Sequence, residues 1–366
     1  MYRFLRPLLF RLDAERAHTV SLRAAEAAQR TVLGTVRSRY EYEDERLKQR
    51  LWGHTFPNPV GLAAGADKNG RVVPFWEAVG FGFVEVGSVS ARPASGNPRP
   101  RAFRLPEDRA LVNRLGLNND GAEAVAERLE RGRADRSRPL GINLAKTHDP
   151  DLMGDAALED FRASFNHLVS QADYVTLNIS CPNTPDGGTF EDPEALDALL
   201  EVIASEQKAP GLAVPVLIKL SPPINDRVLF DTRLEEIVAV AQAHEVDGLV
   251  ATNTAPDRQG LQTAEAELAA IGEGGLSGLP LTDRATRMVA YLYQATDGDI
   301  PIIGVGGIHN AASAYAKIRA GASLVQLYTA LVYEGPALVR EIKKGLVERL
   351  SEDSYASIAE AVGVDV

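Results

Sequence analysis

The stretch IPIIGVGGIHNAASAYAKIRAGASLVQLYTAL, residues 300–331, decides the fold. It begins with IPIIGVGGI (300–308), an unbroken apolar, β-branched run closed by glycines, and it ends with a second such run, LVQLYTAL (324–331). Between them, AASAYAKIRAG after Asn310 repeats apolar residues at the i, i+3, i+4 spacing of one helical face. Continuous apolar strands separated by an amphipathic helix form a parallel βαβ unit, because only strands covered on both faces dispense with polar alternation.

The same unit recurs towards the amino terminus. Strand-like runs stand at NPVGLAAG (58–65), FVEVGSV (83–89), PLGINLAK (139–146), YVTLNISCPN (174–183), VPVLIKLSP (214–222) and GLVATNTAP (248–256), with helical patterns such as AEAVAERLERG after Gly121 and LEEIVAVAQAH after Arg233. Eight strand units in roughly 275 residues match the size of a (β/α)8 TIM barrel, an α/β fold; an open doubly wound sheet is the alternative.

Composition narrows the class of function. With 45% apolar residues among 366, the chain is not disordered, and no run of about 18 apolar residues marks a membrane span. A net charge of −11 argues against a nucleic-acid partner. The single cysteine, Cys181, excludes an internal disulfide and fits a reducing compartment. The opening MYRFLRPLLFRLDAERAH has scattered arginines and no cleavage-site pattern, so no secretory signal is expected.

Residues 1–40 lie outside the βα rhythm and are expected to form an amphipathic helical extension, with residues 41–366 as the barrel domain. Phe4, Leu5, Leu8, Leu9 and Leu12 can share one helical face, flanked by Arg3, Arg6 and Arg11, and Asp13 suits the N-cap of a second helix through Gln29. Two readings stay open: helices packed over the barrel's end, or a hairpin lying on a membrane surface. RPASGNPRPR (92–101) reads as a loop long enough to shape a site.

Barrel chemistry sits at the carboxyl ends of the strands. Those ends carry Ala64, Gly65, Asp67 and Lys68, then Ser88, Asn143, Asn178 with Cys181 and Asn183, Lys219, and Thr252, Asn253 and Thr254. Several amides, together with the loop NRLGLNN (113–119), can read a planar ring with alternating C=O and N–H groups, although any one Asn alone suits a turn. Glycines after the last two strands suit a phosphate, because backbone N–H groups can approach closely there. Lys219 could be a Schiff-base nucleophile or a fixed cation. Cys181 could be inert core or a general base, its ordinary pKa of about 8.5 lying near neutrality. No metal site is read.

Taken together, AAGADKNG (63–70), NRLGLNN, NISCPNTP (178–185), IKLSP (218–222), TNT (252–254), GGLSG (274–278) and GVGGI (304–308) resemble the dihydroorotate dehydrogenase family. The amino-terminal start resembles its class 2, quinone-linked branch. The resemblance implies an FMN enzyme of pyrimidine biosynthesis that oxidises dihydroorotate to orotate. Its electrons would pass to a membrane quinone, with residues 1–30 holding the protein peripherally on the cytoplasmic side of the cell membrane. By motif, Ala64, Gly65, Ala66, Asp67, Lys68, Ser88, Asn143, Asn178, Lys219, Thr252, Gly275, Gly307, Tyr328 and Thr329 would hold FMN. Lys68, Asn113, Arg114, Leu115, Gly116, Leu117, Asn178, Asn183, Asn253 and Thr254 would hold the substrate. Cys181 would be the base and Lys219 the catalytic cation; class 2 members usually carry serine at the base position, and cysteine is the class 1 pattern. ERAH (15–18) would place Arg16 and His18 near the quinone entry. The alternatives are a soluble flavin dehydrogenase with another acceptor, or a flavin-free lyase using Lys219.

Overall fold

The computed structural model describes residues 2–180, 189–223 and 232–366. Eight parallel strands close a barrel: β1 (Val60–Leu62), β2 (Phe83–Val89), β3 (Leu140–Leu144), β4 (Tyr174–Asn178), β5 (Val216–Leu220), β6 (Gly248–Ala251), β7 (Ile302–Val305) and β8 (Ala322–Leu327). Each strand pairs with its sequence neighbour, and β8 pairs with β1 through Val325–Val60 and Leu327–Leu62. Closure leaves no edge to protect, and every residue of β1, β3, β4, β5, β6 and β7 is buried. The open-sheet alternative is therefore set aside.

The amino-terminal end of the barrel is plugged. A hairpin of Gln49–Leu51 and His54–Phe56 inserts Phe56 edge-on against Phe83, centroids 5.4 Å apart, while Trp52 meets Phe56 edge to face and donates to the Asp247 carbonyl at 2.7 Å. These rings pack with Tyr174, Leu217, Val250, Ile303 and Leu324. Truncating Phe83 to Ala would cost about 3–5 kcal/mol through the cavity left behind. With one end filled by aromatics, polar groups gather at the other.

A three-stranded antiparallel sheet, Ala102–Leu105, Ala110–Asn113 and Gly275–Gly278, flanks that open end. Above it lie α1 (Tyr2–Leu9) and α2 (Ala14–Thr31), while α3 (Leu33–Tyr40) packs on the barrel helix Val73–Val79. Asp13 caps α2 as expected, accepting from the Glu15 and Arg16 backbone at 3.0 and 3.1 Å. The Tyr2 hydroxyl donates to Val332 O at 2.6 Å and Arg6 to Tyr333 O at 3.0 Å, and Arg104 donates to the carbonyls of Leu9 and Leu12 at the end of α1. Glu15 on α2 takes Arg101 in two hydrogen bonds, 2.7 and 3.1 Å, and Arg99 in a third. The helices thus pack over the barrel's end and still turn apolar side chains outward: Phe4 is 84% exposed, and Leu5 and Leu8 about half. Among the described residues no helix is long and apolar enough to cross a membrane.

Candidate active site

A single cavity of about 580 Å³ runs from the carboxyl ends of the barrel strands to the underside of α1 and α2. Its floor is the barrel mouth, with Ser88, Asn178, Lys219 and Thr252 in the wall; its roof includes Leu9, Phe10, Ala14, Ala17, His18 and Leu22.

The amides at the floor are joined in one chain. Asn253 Nδ2 donates to Asn178 Oδ1 at 3.2 Å, Asn178 Nδ2 to Ser88 Oγ at 2.9 Å, and Ser88 Oγ to Asn143 Oδ1. Asn143 is fully buried behind Ser88, and its Nδ2 donates to Glu85 Oε1 at 3.0 Å. Asn253 is further fixed because its Oδ1 accepts from the Thr254 backbone at 2.9 Å. Packing and hydrogen bonds lock these side chains before any ligand arrives.

Lys219 is 6% exposed on a wholly buried strand. Burial draws its ammonium below the ordinary lysine value, and the Glu85 carboxylate opposes that loss. Lys68 reaches Asn118 Oδ1 at 2.6 Å. Asp67 lies fully buried in the loop after β1, where its carboxylate accepts from the Arg71 and Val72 backbone at 2.9 and 2.8 Å and so fixes that loop's shape.

At the far wall, Gly278, Gly306 and Gly307 all have positive φ, and Ser277 Oγ meets Thr329 Oγ1 at 2.8 Å. A Cβ at Gly307 would stand 2.2 Å from Thr282 Cα, so the backbone there lies as close as glycine allows. By contrast, a Cβ on Gly65 would meet nothing within 4 Å.

Under the roof, the His18 and Tyr328 rings lie 6.0 Å apart with Tyr328 OH and His18 Nδ1 at 3.4 Å. Burial pulls His18 down to about 4, assisted by the Lys68 ammonium and opposed by Glu15, so its imidazole is neutral at pH 7. Burial pushes the Tyr328 phenol up to about 12.

The cavity gathers Ala64, Gly65, Ala66, Asp67, Lys68, Ser88, Asn178, Lys219, Thr252, Gly307, Tyr328 and Thr329 of the residues expected for a cofactor, and Lys68, Asn113, Leu115, Leu117, Asn178, Asn253 and Thr254 of those expected for a substrate. It does not gather four others. Asn143 lies one layer deeper, and Gly275 backs Thr254, where a Cβ would come within 2.0 Å of its Oγ1. Gly116 packs on Asn97, and Arg114 turns away to the Glu273 and Pro100 carbonyls and over the Phe103 ring. Cys181 and Asn183 lie outside the described residues. His18 is in the cavity wall, whereas Arg16 is exposed on α2 and does not line it. Sequence reasoning missed Glu85 and Gln326; a lone carboxylate in the apolar run FVEVGSV was the available signal for the first.

The family model described as dihydroorotate dehydrogenase matches residues 46–350. Curated relatives include the dihydroorotate dehydrogenase (quinone) of Rhodospirillum rubrum, 47% identical over all of this chain and 94% of that protein, and that of Natronomonas pharaonis, 44% identical over all of this chain and 99% of that protein. Among solved structures, the DHODH of Eimeria tenella in complex with ferulenol is 33% identical with a TM-score of 0.80, covering 93% of this chain and 95% of that one. A closed eight-stranded barrel whose mouth carries a chain of amides, a buried lysine and a glycine-lined wall, matched over this span, belongs to the dihydroorotate dehydrogenase family.

Proposed function

We propose that the chain oxidises dihydroorotate to orotate, in the de novo synthesis of pyrimidines, and passes the electrons to a quinone. The observation that carries this reading is the single cavity joining a polar, amide-lined floor to an apolar roof beneath α1 and α2. A small polar ring suits the floor, and an apolar acceptor entering between the helices suits the roof.

FMN fits the space between. The glycine-lined wall at Gly278, Gly306 and Gly307 lets backbone approach a phosphate, and the open space over Gly65 leaves room for a flat ring beside Lys219. Ala64 to Lys68, Ser88, Asn178, Lys219, Thr252, Gly307, Tyr328 and Thr329 would hold it directly; Asn143 and Gly275 would support it from behind. When bound, FMN supplies the acceptor for the C6 hydride of dihydroorotate and the donor of electrons to the quinone.

The chain's own part is positioning and charge. Asn178, Asn253 and Thr254, with Lys68 and residues 113–117, orient the substrate ring, and Asn183 would join them. Lys219 offers a cation where negative charge builds during hydride transfer, and its burial makes that charge effective. Cys181 would remove the C5 proton as general base. His18 and Tyr328, neutral at pH 7, offer hydrogen bonds to an acceptor arriving under the roof. The outward apolar face of α1, with Arg3, Arg6 and Arg11 at its flanks, suits peripheral contact with a membrane that holds the quinone. No observation favours a Schiff base at Lys219.

The test is acceptor choice. Purified protein given dihydroorotate should form orotate with a short-chain quinone and not with NAD+ or fumarate. His18→Ala should slow quinone reduction and leave single-turnover flavin reduction unchanged. Equal rates with NAD+ or fumarate would overturn the quinone assignment.

A further inference from the structure

Glu85 is a fully buried carboxylate at the centre of the barrel, on β2, and the chemistry proposed above does not use it. Four donors from three other strands converge on it. Asn143 Nδ2 reaches Oε1 at 3.0 Å; Gln326 Nε2, Tyr174 OH and Thr176 Oγ1 reach Oε2 at 2.8, 3.1 and 3.3 Å. A buried charge on this scale is tolerated only when it is fully hydrogen-bonded or paired. Here it is hydrogen-bonded on both oxygens, and its field also favours the ammonium of Lys219.

A carboxylate can only accept, and that fixes the direction of everything hydrogen-bonded to it. Asn143 must turn its NH2 to Glu85, so its oxygen faces Ser88. The Ser88 hydroxyl must donate to that oxygen, so its lone pairs face Asn178. Asn178 must then turn its NH2 to Ser88, and its oxygen takes the N–H of Asn253. Every donor in the chain points inward to the one group that cannot donate. An amide in place of Glu85 would offer one acceptor oxygen where two now stand, and its NH2 would face the NH2 of Asn143 or of Gln326; the outer end of the row stays set by Asn253, whose Oδ1 accepts from the Thr254 backbone and whose Nδ2 also donates to Ser180 O. Gln326 shows the same constraint: its NH2 is held on Glu85 while its Oε1, buried, finds no hydrogen-bond partner among the described residues.

We infer that Glu85 is a positioning residue for the reaction: its carboxylate fixes the inner end of the Asn143–Ser88–Asn178–Asn253 relay, as the Thr254 and Ser180 backbone fixes the outer end, and with it the amide atoms turned to the cofactor and the substrate ring. It touches neither ligand and acts through the relay. Hydrogen bonds aligned head to tail polarise one another, so the carboxylate also strengthens the bonds beyond Asn143. The inference rests on the flavin and dihydroorotate reading of the site.

The experiment compares Glu85→Gln and Glu85→Asp with the wild-type holoenzyme. E85Q keeps the shape and loses the obligate acceptor; E85D keeps the acceptor and loses a methylene of reach. Three quantities are measured: the thermal midpoint, the FMN-to-protein ratio, and the orotate dissociation constant from perturbation of the flavin spectrum. A positioning role predicts that E85Q binds orotate about tenfold more weakly or worse while retaining FMN, and that E85D binds more tightly than E85Q whatever the order of their midpoints. A residue that merely fills the core predicts the opposite order, with isosteric E85Q closer to wild type in both midpoint and affinity. E85Q binding orotate like wild type, or affinity that simply follows the thermal midpoints across the variants, would overturn the inference. Should E85Q not fold, E85D decides alone: affinity within about fivefold of wild type supports it, and a larger loss overturns it. A wild-type protein with no flavin, or with a flavin blind to orotate, would instead overturn the reading of the site.

Discussion

Gly307→Ala should empty the cofactor site before it unfolds the protein. Gly307 has φ +73°, in the left-handed region, and an added Cβ would stand 2.2 and 2.3 Å from Cα and N of Thr282, at the start of the helix Thr282–Ala295. Those are backbone atoms, and no rotamer change relieves them. The left-handed conformation costs a non-glycine residue about 1 kcal/mol, and overpacking adds about 1–3 kcal/mol, for a sum of about 2–4 kcal/mol. The loop can shed the second part only by moving away from Thr282, whose Oγ1 donates to Gly307 O at 3.0 Å, and that movement displaces the wall assigned to the phosphate. If the 1–3 kcal/mol is transferred to cofactor binding, FMN affinity falls about 5- to 150-fold. Gly260→Ala is the control: φ is +74°, a Cβ meets nothing within 4 Å, and the residue is not in the cavity wall, so it carries only the conformational part. Flavin-to-protein ratios after gel filtration, with denaturant unfolding of both variants, read the two parts separately. G307A with full flavin and a stability equal to that of G260A would refute the contact argument.

Other residues give independent tests. Cys181→Ala should abolish dihydroorotate oxidation with FMN still bound, whereas Cys181→Ser should keep part of the rate with its profile moved to higher pH, since a hydroxyl gives up its proton less readily than a thiol of pKa about 8.5; full activity in the alanine variant would remove Cys181 as the base. Lys317, fully buried and donating to Thr286 Oγ1 at 3.0 Å, is pulled down to about 7 by burial. The unfolded chain therefore holds the extra proton between about pH 7 and 10.5, and Lys317 makes stability rise with pH across that window by up to about 1.4 kcal/mol per unit. Lys317→Met should be more stable at pH 7 and show a shallower rise from pH 7 to 9.5 in denaturant unfolding; an unchanged slope would contradict the assignment. Phe4→Glu with Leu8→Glu should leave flavin reduction by dihydroorotate intact and release the protein from washed membranes, and retention equal to wild type would count against the surface role of α1.

The barrel was legible because each strand is a continuous apolar run, the pattern that burial on both faces demands. The antiparallel sheet beside the site was not: its third strand is Gly275–Gly278, GLSG, which reads as a loop and becomes a strand only by pairing with Ala110–Asn113, more than 160 residues away. The hairpin of Gln49–Leu51 and His54–Phe56 is too short to show a period. Within the site, residues at strand ends were readable from position alone, as Asn178, Lys219 and Asn253 illustrate. Arg114 was not, because what decides its direction is the Phe103 ring and three carbonyls, of Pro100, Ile271 and Glu273, contributed by other segments. Glu85 escaped for a related reason: its partners Asn143, Tyr174, Thr176 and Gln326 converge only when the barrel closes.

The most direct test of the account is an anaerobic titration of the purified protein, followed by its visible spectrum. Stepwise dihydroorotate should bleach a bound flavin with an end point near one equivalent, and a quinone added afterwards should restore the oxidised spectrum. A colourless protein, or a flavin that dihydroorotate leaves unreduced, would contradict it.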